Sequence, residues 1–190
     1  MSAALELPDP MSLAEFLAWD HPGETRWQLV DGVPQAMAPA SPIHGGIQNQ
    51  LGRLFANHLE AQGSPCRSYI APGIALGAKS DRNYRIPDVA VTCSLLVPGE
   101  PTLPNPVVLV EVLSPSNAME TWINVWAYTT IPSAREILVV RTDAVGAQLL
   151  RRDADGHWPS VPAIVEGELS LESIRFRVAL EKLYEGTWLV

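Results

Sequence analysis

Residues 85–93 read RIPDVAVTC and residues 106–128 read PVVLVEVLSPSNAMETWINVWAY. The apolar, β-branched runs at 85–93 and 107–113 carry one acid each: Asp88 directly after Pro87, and Glu111 between Val110 and Val112. Side chains alternate along a strand, so Val107, Leu109, Glu111 and Leu113 share one face and Val108, Val110 and Val112 the other. Glu111 therefore interrupts an apolar face, while Asp88 opens its strand after a proline, at a sheet rim. A carboxylate inside a buried strand is costly unless it is paired, hydrogen-bonded or bound to a cation. Two of them on neighbouring strands point to a shared cation. Two carboxylates and a backbone carbonyl suit Mg²⁺ or Mn²⁺ better than Zn²⁺, which prefers Cys and His. The residues leave a second reading open, with one acid capping a turn and the other paired with an arginine such as Arg85.

Working outward, the 190 residues are expected to form one domain (1–190) with a single substantial core. Ser12-Leu13-Ala14-Glu15 is a capping box opening a helix that runs to about Trp19. Residues 26–30 and 33–37 flank Asp31-Gly32 and read as an N-terminal β-hairpin with Gln28 on its first strand. Ile43, Ile47, Leu51, Leu54, Phe55 and Leu59 predict a helix from Ile43 to Ala61 with one apolar stripe and His44 in its first turn. Residues 69–76 and 85–93 predict a second hairpin whose polar tip holds Lys79. Four prolines in residues 94–106 mark a loop.

After Ser114-Pro115 a helix capped by Ser116 or Asn117 is expected to bury Met119, Ile123 and Trp126, with Glu120, Asn124 and Tyr128 on another face. Residues 135–141 and 147–152 predict a strand pair, and residues 180–184 a last short helix. The fold class is thus α/β (α+β), a central mixed β-sheet with the 43–61 helix on one face and the 117–128 helix near its edge.

Charge and cysteine content narrow the function classes. Lys and Arg total 13 against 21 acids, a net charge of −8, which is not the basic footprint of a chain that grips phosphates over a wide surface. Arg82 with Arg85, and Arg151 with Arg152, are the candidate local strips. Cys66 and Cys93 match no metal motif; Cys93 reads as a small buried residue, and a disulfide between the two stays open as an unsupported alternative. The first ten residues lack the order of a signal peptide and no apolar run reaches membrane-spanning length, so a cytoplasmic location and no membrane partner are expected.

Taken together, WQLVDGVPQAMAPASPIHGGI (27–47), PDVAV (87–91), VVLVEVLSPSN (107–117) and AYTTIPSAREILVV (127–140) resemble the Uma-two family of bacterial proteins described as restriction endonucleases, within the PD-(D/E)xK nuclease superfamily. The resemblance runs from about Ser12 to Tyr184. It implies a restriction-endonuclease-like core in which Asp88, Glu111 and the backbone of Val112 hold Mg²⁺ or Mn²⁺, with Asn124, Gln28, His44 and Glu120 around them. It implies DNA as substrate and a homodimer as the natural assembly. Two positions depart from the family pattern. Asn124 stands where a lysine is usual, and Gln28 where a glutamate is usual; Lys79 and Lys182 are the only lysines.

The function implied is a metal-dependent endonuclease hydrolysing DNA phosphodiester bonds. A neutral amide at Asn124 compensates a developing anion poorly, and losing one charged stabiliser costs on the order of 10²–10³ in rate. The alternative is a catalytically decayed nuclease-fold module that binds nucleic acid or a protein partner. A third reading is a structural or partner-binding protein, to which the acidic balance and the proline-rich loop would belong.

Overall fold

The computed structural model describes residues 10–190 apart from 22, 24, 78, 79, 160 and 161, so the expectation about Lys79 lies outside the described residues. Ser12 closes the expected capping box: Glu15 Oε2 accepts from the Ser12 amide at 2.7 Å and Ser12 Oγ from the Glu15 amide at 3.2 Å, starting α1 (Leu13–Ala18). β1 (Trp27–Val30) and β2 (Val33–Ala36) form the first hairpin. Its turn needs two left-handed residues, and Asp31 (φ 49°) and Gly32 (φ 86°) supply them. α2 (Pro42–Ala61) begins at Ser41, whose hydroxyl accepts from the His44 amide. It buries Ile43, Ile47, Leu51, Phe55 and Leu59, the expected stripe, with Leu54 half-buried beside them.

The second hairpin differs from its expectation in an informative way. It is a ribbon divided between two sheets: β3 (Arg67–Ile70) pairs with β6 (Val89–Thr92), and β4 (Ile74–Ala75) with β5 (Tyr84–Arg85). The break falls at Ala71, which takes a left-handed φ of 46°, and at Pro72-Gly73 opposite Ile86-Pro87. Gly73 is required there, because a Cβ would lie 1.8 Å from the Tyr84 hydroxyl. The outer half joins a four-stranded sheet of order β2-β1-β5-β4, and the inner half enters a five-stranded one.

That larger sheet adds β7 (Pro106–Leu113), β8 (Glu136–Arg141) and β9 (Ala147–Arg151) in the order β3-β6-β7-β8-β9. It is mixed, since β7 and β8 run parallel while the other neighbours are antiparallel. The parallel pair needs a crossover, supplied by α3 (Ala118–Tyr128) after a 3₁₀ turn at Pro115–Asn117. Val108, Val110 and Val112 face α2 and Leu109 faces α3, so α3 lies on the sheet face opposite α2 and packs against β7. The edge position expected for this helix is corrected accordingly. β10 (Glu168–Leu171) and β11 (Phe176–Ala179) form a small hairpin closing the α2 side.

Three further expectations are overturned. Met119, Ile123 and Trp126 are exposed, at 79%, 51% and 56%, and α3 instead buries Thr121, Asn124, Val125 and Tyr128. Neither Ser116 nor Asn117 caps that helix through its side chain. Cys93 is exposed and disulfide-bonded to Cys66. The register pairing Arg67 with Thr92 places the two cysteines next to one another at the end of the β3–β6 ladder. Among the described residues no helix is long and apolar enough to cross a membrane.

Candidate metal centre

Asp88 sits where the ribbon passes from one sheet to the other, and its oxygens are all engaged. Its main-chain carbonyl accepts from the Ala71 amide at 2.9 Å and from Gln48 Nε2 at 2.8 Å. Its Oδ1 lies 2.7 Å from His44 Nε2, and its Oδ2 accepts from the Val112 amide at 2.7 Å. His44 and Gln48 are four residues apart on α2, hence on one face, so the first turns of that helix hold the aspartate from one side. The β7 backbone holds it from the other.

Glu111 belongs to the α3 face of β7 and is buried. Tyr128 Oη donates to its Oε1 at 2.5 Å, and the Asn124 side chain hydrogen-bonds it as well. Asn124 and Tyr128 stand four residues apart, which turns both toward the same strand. Burial, reinforced by the charge of Asp88, pushes the Glu111 carboxyl well above the usual carboxylate range. Burial also pushes the Tyr128 phenol well above its ordinary value, with Glu111 next among the causes.

The structure therefore brings together Asp88, Glu111, Val112, His44 and Asn124. Glu120 is not among them: it lies exposed in the first turn of α3. Gln28 is buried on β1, in the neighbouring small sheet, and its Oε1 has no hydrogen-bond partner among the described residues. Sequence reasoning did not single out Gln48, although its spacing from His44 on one helix face was a signal. It also treated Arg85 as a surface residue or a simple ion-pair partner. Arg85 is 3% exposed, one of its Nη1 hydrogens goes to the Leu29 carbonyl, and its Nε is unpartnered.

The donor set fits a divalent cation. Two carboxylates whose charges oppose each other in a buried place gain most from a shared 2+ ion, and oxygen donors suit Mg²⁺ or Mn²⁺. Glu136 gives the contrast. It is equally buried on β8, yet the Arg151 guanidinium at 2.9 Å and the amides of Glu172 and Ser173, both at 2.9 Å, satisfy it completely. Among the described residues, the group of three acids and histidines whose ligand atoms all lie within 4.8 Å of one another is Asp153, Asp155 and His157, on an exposed turn after β9, and not His44, Asp88 and Glu111.

Comparison with known proteins gives the family and the fold. Residues 13–181 match the Uma2 family, described as "Putative restriction endonuclease". A Synechocystis protein, slr1290, described as uncharacterized, is 29% identical over 181 residues, covering 93% of this chain and 92% of its own. The crystal structure of a protein from Anabaena variabilis, described as a putative nuclease belonging to DUF820, superposes with a TM-score of 0.76 at 16% identity. That superposition covers 95% of this chain and all of the other, and shows a shared fold. With its mixed sheet, its ribbon break at Asp88 and a family match over nearly its whole length, the chain belongs to the Uma-two family of restriction-endonuclease-like proteins.

Proposed function

We propose that this protein is a metal-dependent endonuclease that hydrolyses DNA phosphodiester bonds, with Mg²⁺ or Mn²⁺ held by Asp88 and Glu111 beside the backbone of Val112. The observation that carries the reading is the convergence on Asp88 of His44, Gln48 and the Val112 amide, one residue from a second buried carboxylate. A divalent cation at such a site lowers the pKa of a water and offsets charge developing on the phosphodiester. The protein's part is placement. His44 and the Val112 amide fix both carboxylate oxygens of Asp88, and Tyr128 and Asn124 orient Glu111. Water adds to phosphorus and gives up one proton to solvent, the bond to the leaving sugar oxygen breaks, and that oxygen takes up a proton from solvent.

The family description supports DNA as the substrate. Cutting both strands requires two such sites, so a homodimer belongs to the proposal, to be read by sedimentation. A cytoplasmic location also belongs to it. The Cys66–Cys93 disulfide is the observation against which that location is tested, because such bonds are rare in reducing compartments; thiol trapping from intact cells shows whether the bond persists there.

The decisive experiment is Mn²⁺ calorimetry followed by plasmid cleavage for the wild type, Asp88→Ala and Glu111→Ala. Binding and cleavage in the wild type, both lost in each variant, is the expected result. Metal binding without cleavage would favour the decayed module. Absence of both would overturn the nuclease reading.

A further inference from the structure

Arg85 is an expensive residue to bury. A guanidinium out of water costs several kcal/mol unless its charge and hydrogens are met, and here one hydrogen bond to the Leu29 carbonyl is matched by an Nε with no acceptor. None of the ion pairs among the described residues includes it. Gln28 repeats the pattern on the next strand, with a buried Oε1 lacking a donor.

The two belong to one place. β1 and β5 are antiparallel with Leu29 opposite Tyr84, which sets Gln28 across from Arg85 on the same face. Ile74, opposite Arg85 on the other side, packs in the cluster that contains Val125 and Tyr128 of α3. This face of the small sheet is therefore turned toward the buried face of α3, where Asn124 lies. Arg85 is three residues before Asp88; burial pulls its guanidinium below the ordinary arginine value, and Tyr128, whose hydroxyl donates to Glu111, and Asp31 act on it in the opposite sense.

We infer that Arg85, with Gln28 beside it, is a phosphate-oxygen subsite of the centre: its guanidinium contacts the phosphodiester and supplies from β5 the positive charge that Asn124 lacks on α3. The inference rests on the nuclease reading and adds to it a catalytic residue. An Nε–H without an acceptor is completed by an anionic oxygen. An amide oxygen without a donor is completed by a group that carries a proton, such as the attacking water. Arginine keeps its charge through any pH the fold survives.

The test separates this role from a structural one. In chelator, anisotropy of a labelled DNA duplex is measured with wild type, Arg85→Met and Arg85→Met/Asn124→Lys, and each is titrated with Mn²⁺ by calorimetry. Arg85→Met is expected to weaken duplex binding roughly tenfold to a hundredfold, to keep or tighten Mn²⁺ binding because a nearby positive charge is gone, and to regain duplex binding when lysine is placed at 124. Unchanged duplex binding in Arg85→Met overturns the subsite. So does a parallel loss of Mn²⁺ affinity, or a loss that lysine at 124 does not restore, since each marks a structural role. Should Arg85→Met fail to fold, the wild-type Arg85 Nε–H resonance titrated with inorganic phosphate decides: a shift supports the subsite and a static signal overturns it. Failure of the nuclease reading looks different, because the wild type then neither binds Mn²⁺ nor cuts.

Discussion

On the β6–β7 wall of the proposed centre both carboxylate oxygens of Asp88 have partners and Glu111 has two, whereas on the β1–β5 wall that the inference assigns to it Arg85 Nε and Gln28 Oε1 have none among the described residues. Leaving a buried polar group unmet costs about 1–3 kcal/mol. The first wall is finished by the protein itself, each carboxylate held by its own hydrogen bonds. The second, in the proposed reading, is completed by the substrate. In the proposed reading, fixed carboxylates face an unsatisfied cation, the arrangement expected where a metal positions a water and a separate charge receives the anion.

The largest test of this asymmetry is removal of a ligand. Asp88→Ala or Glu111→Ala should lower Mn²⁺ affinity more than about a hundredfold, beyond what is typical for groups that only support a ligand, with cleavage falling in step. Calorimetry and plasmid assays read both.

A second test asks whether the first wall is held by local bonds or by the whole strand pair. Cys66 and Cys93 close a loop with a sequence separation of 27, which in the chain-entropy description stabilises the fold by about 3.5 kcal/mol. Cys93→Ser should lose roughly that much in urea unfolding. Mn²⁺ affinity should stay within about twofold, because His44, Gln48, Val112 and Ala71 hold Asp88 from its own end of β6. A large loss of affinity would show that the wall is held from afar.

Much of the scaffold was legible in the sequence because its periods are unmixed. The α2 stripe, the alternating faces of β7 and the Asp31-Gly32 turn follow from spacing alone. The α3 face was misread for a physical reason. Apolar residues at 119, 123 and 126 look like a core stripe, but the inward side of this helix carries Asn124 and Tyr128, which bond the buried Glu111, with Val125 in the core beside them. The disulfide and the Gln28–Arg85 neighbourhood depend on strand register across long sequence separations, which no local pattern encodes.

The pH response of the metal-free protein sharpens the first wall further. Glu111 in the fold keeps its proton to higher pH than in the unfolded chain, where it titrates near 4.5. Its contribution is therefore fully present below that value and is lost as pH rises through the raised folded value. In chelator the melting temperature should fall as pH rises above the unfolded value of 4.5. Glu111→Gln should flatten that fall, and Mn²⁺ should reverse it by binding the ionised form. Tyr128→Phe, which removes the 2.5 Å donor to Glu111, should cost about 1–2 kcal/mol at pH 7.

The smallest expected effect probes the other wall directly. Gln28→Glu places a carboxylate across from Arg85, where the neutral amide now stands. If Arg85 is unsatisfied in the free protein, the new acid should pair with it and raise stability by about 1 kcal/mol, read as a rise of a few degrees in melting temperature. The same pairing should withdraw the guanidinium from the phosphodiester, so duplex binding in chelator should weaken while the fold becomes more stable. Opposite movement of the two readouts is the signature of a group left unmet for a ligand. A rise in both would place the gain elsewhere, and a fall in stability would mean that Arg85 is already satisfied where it stands.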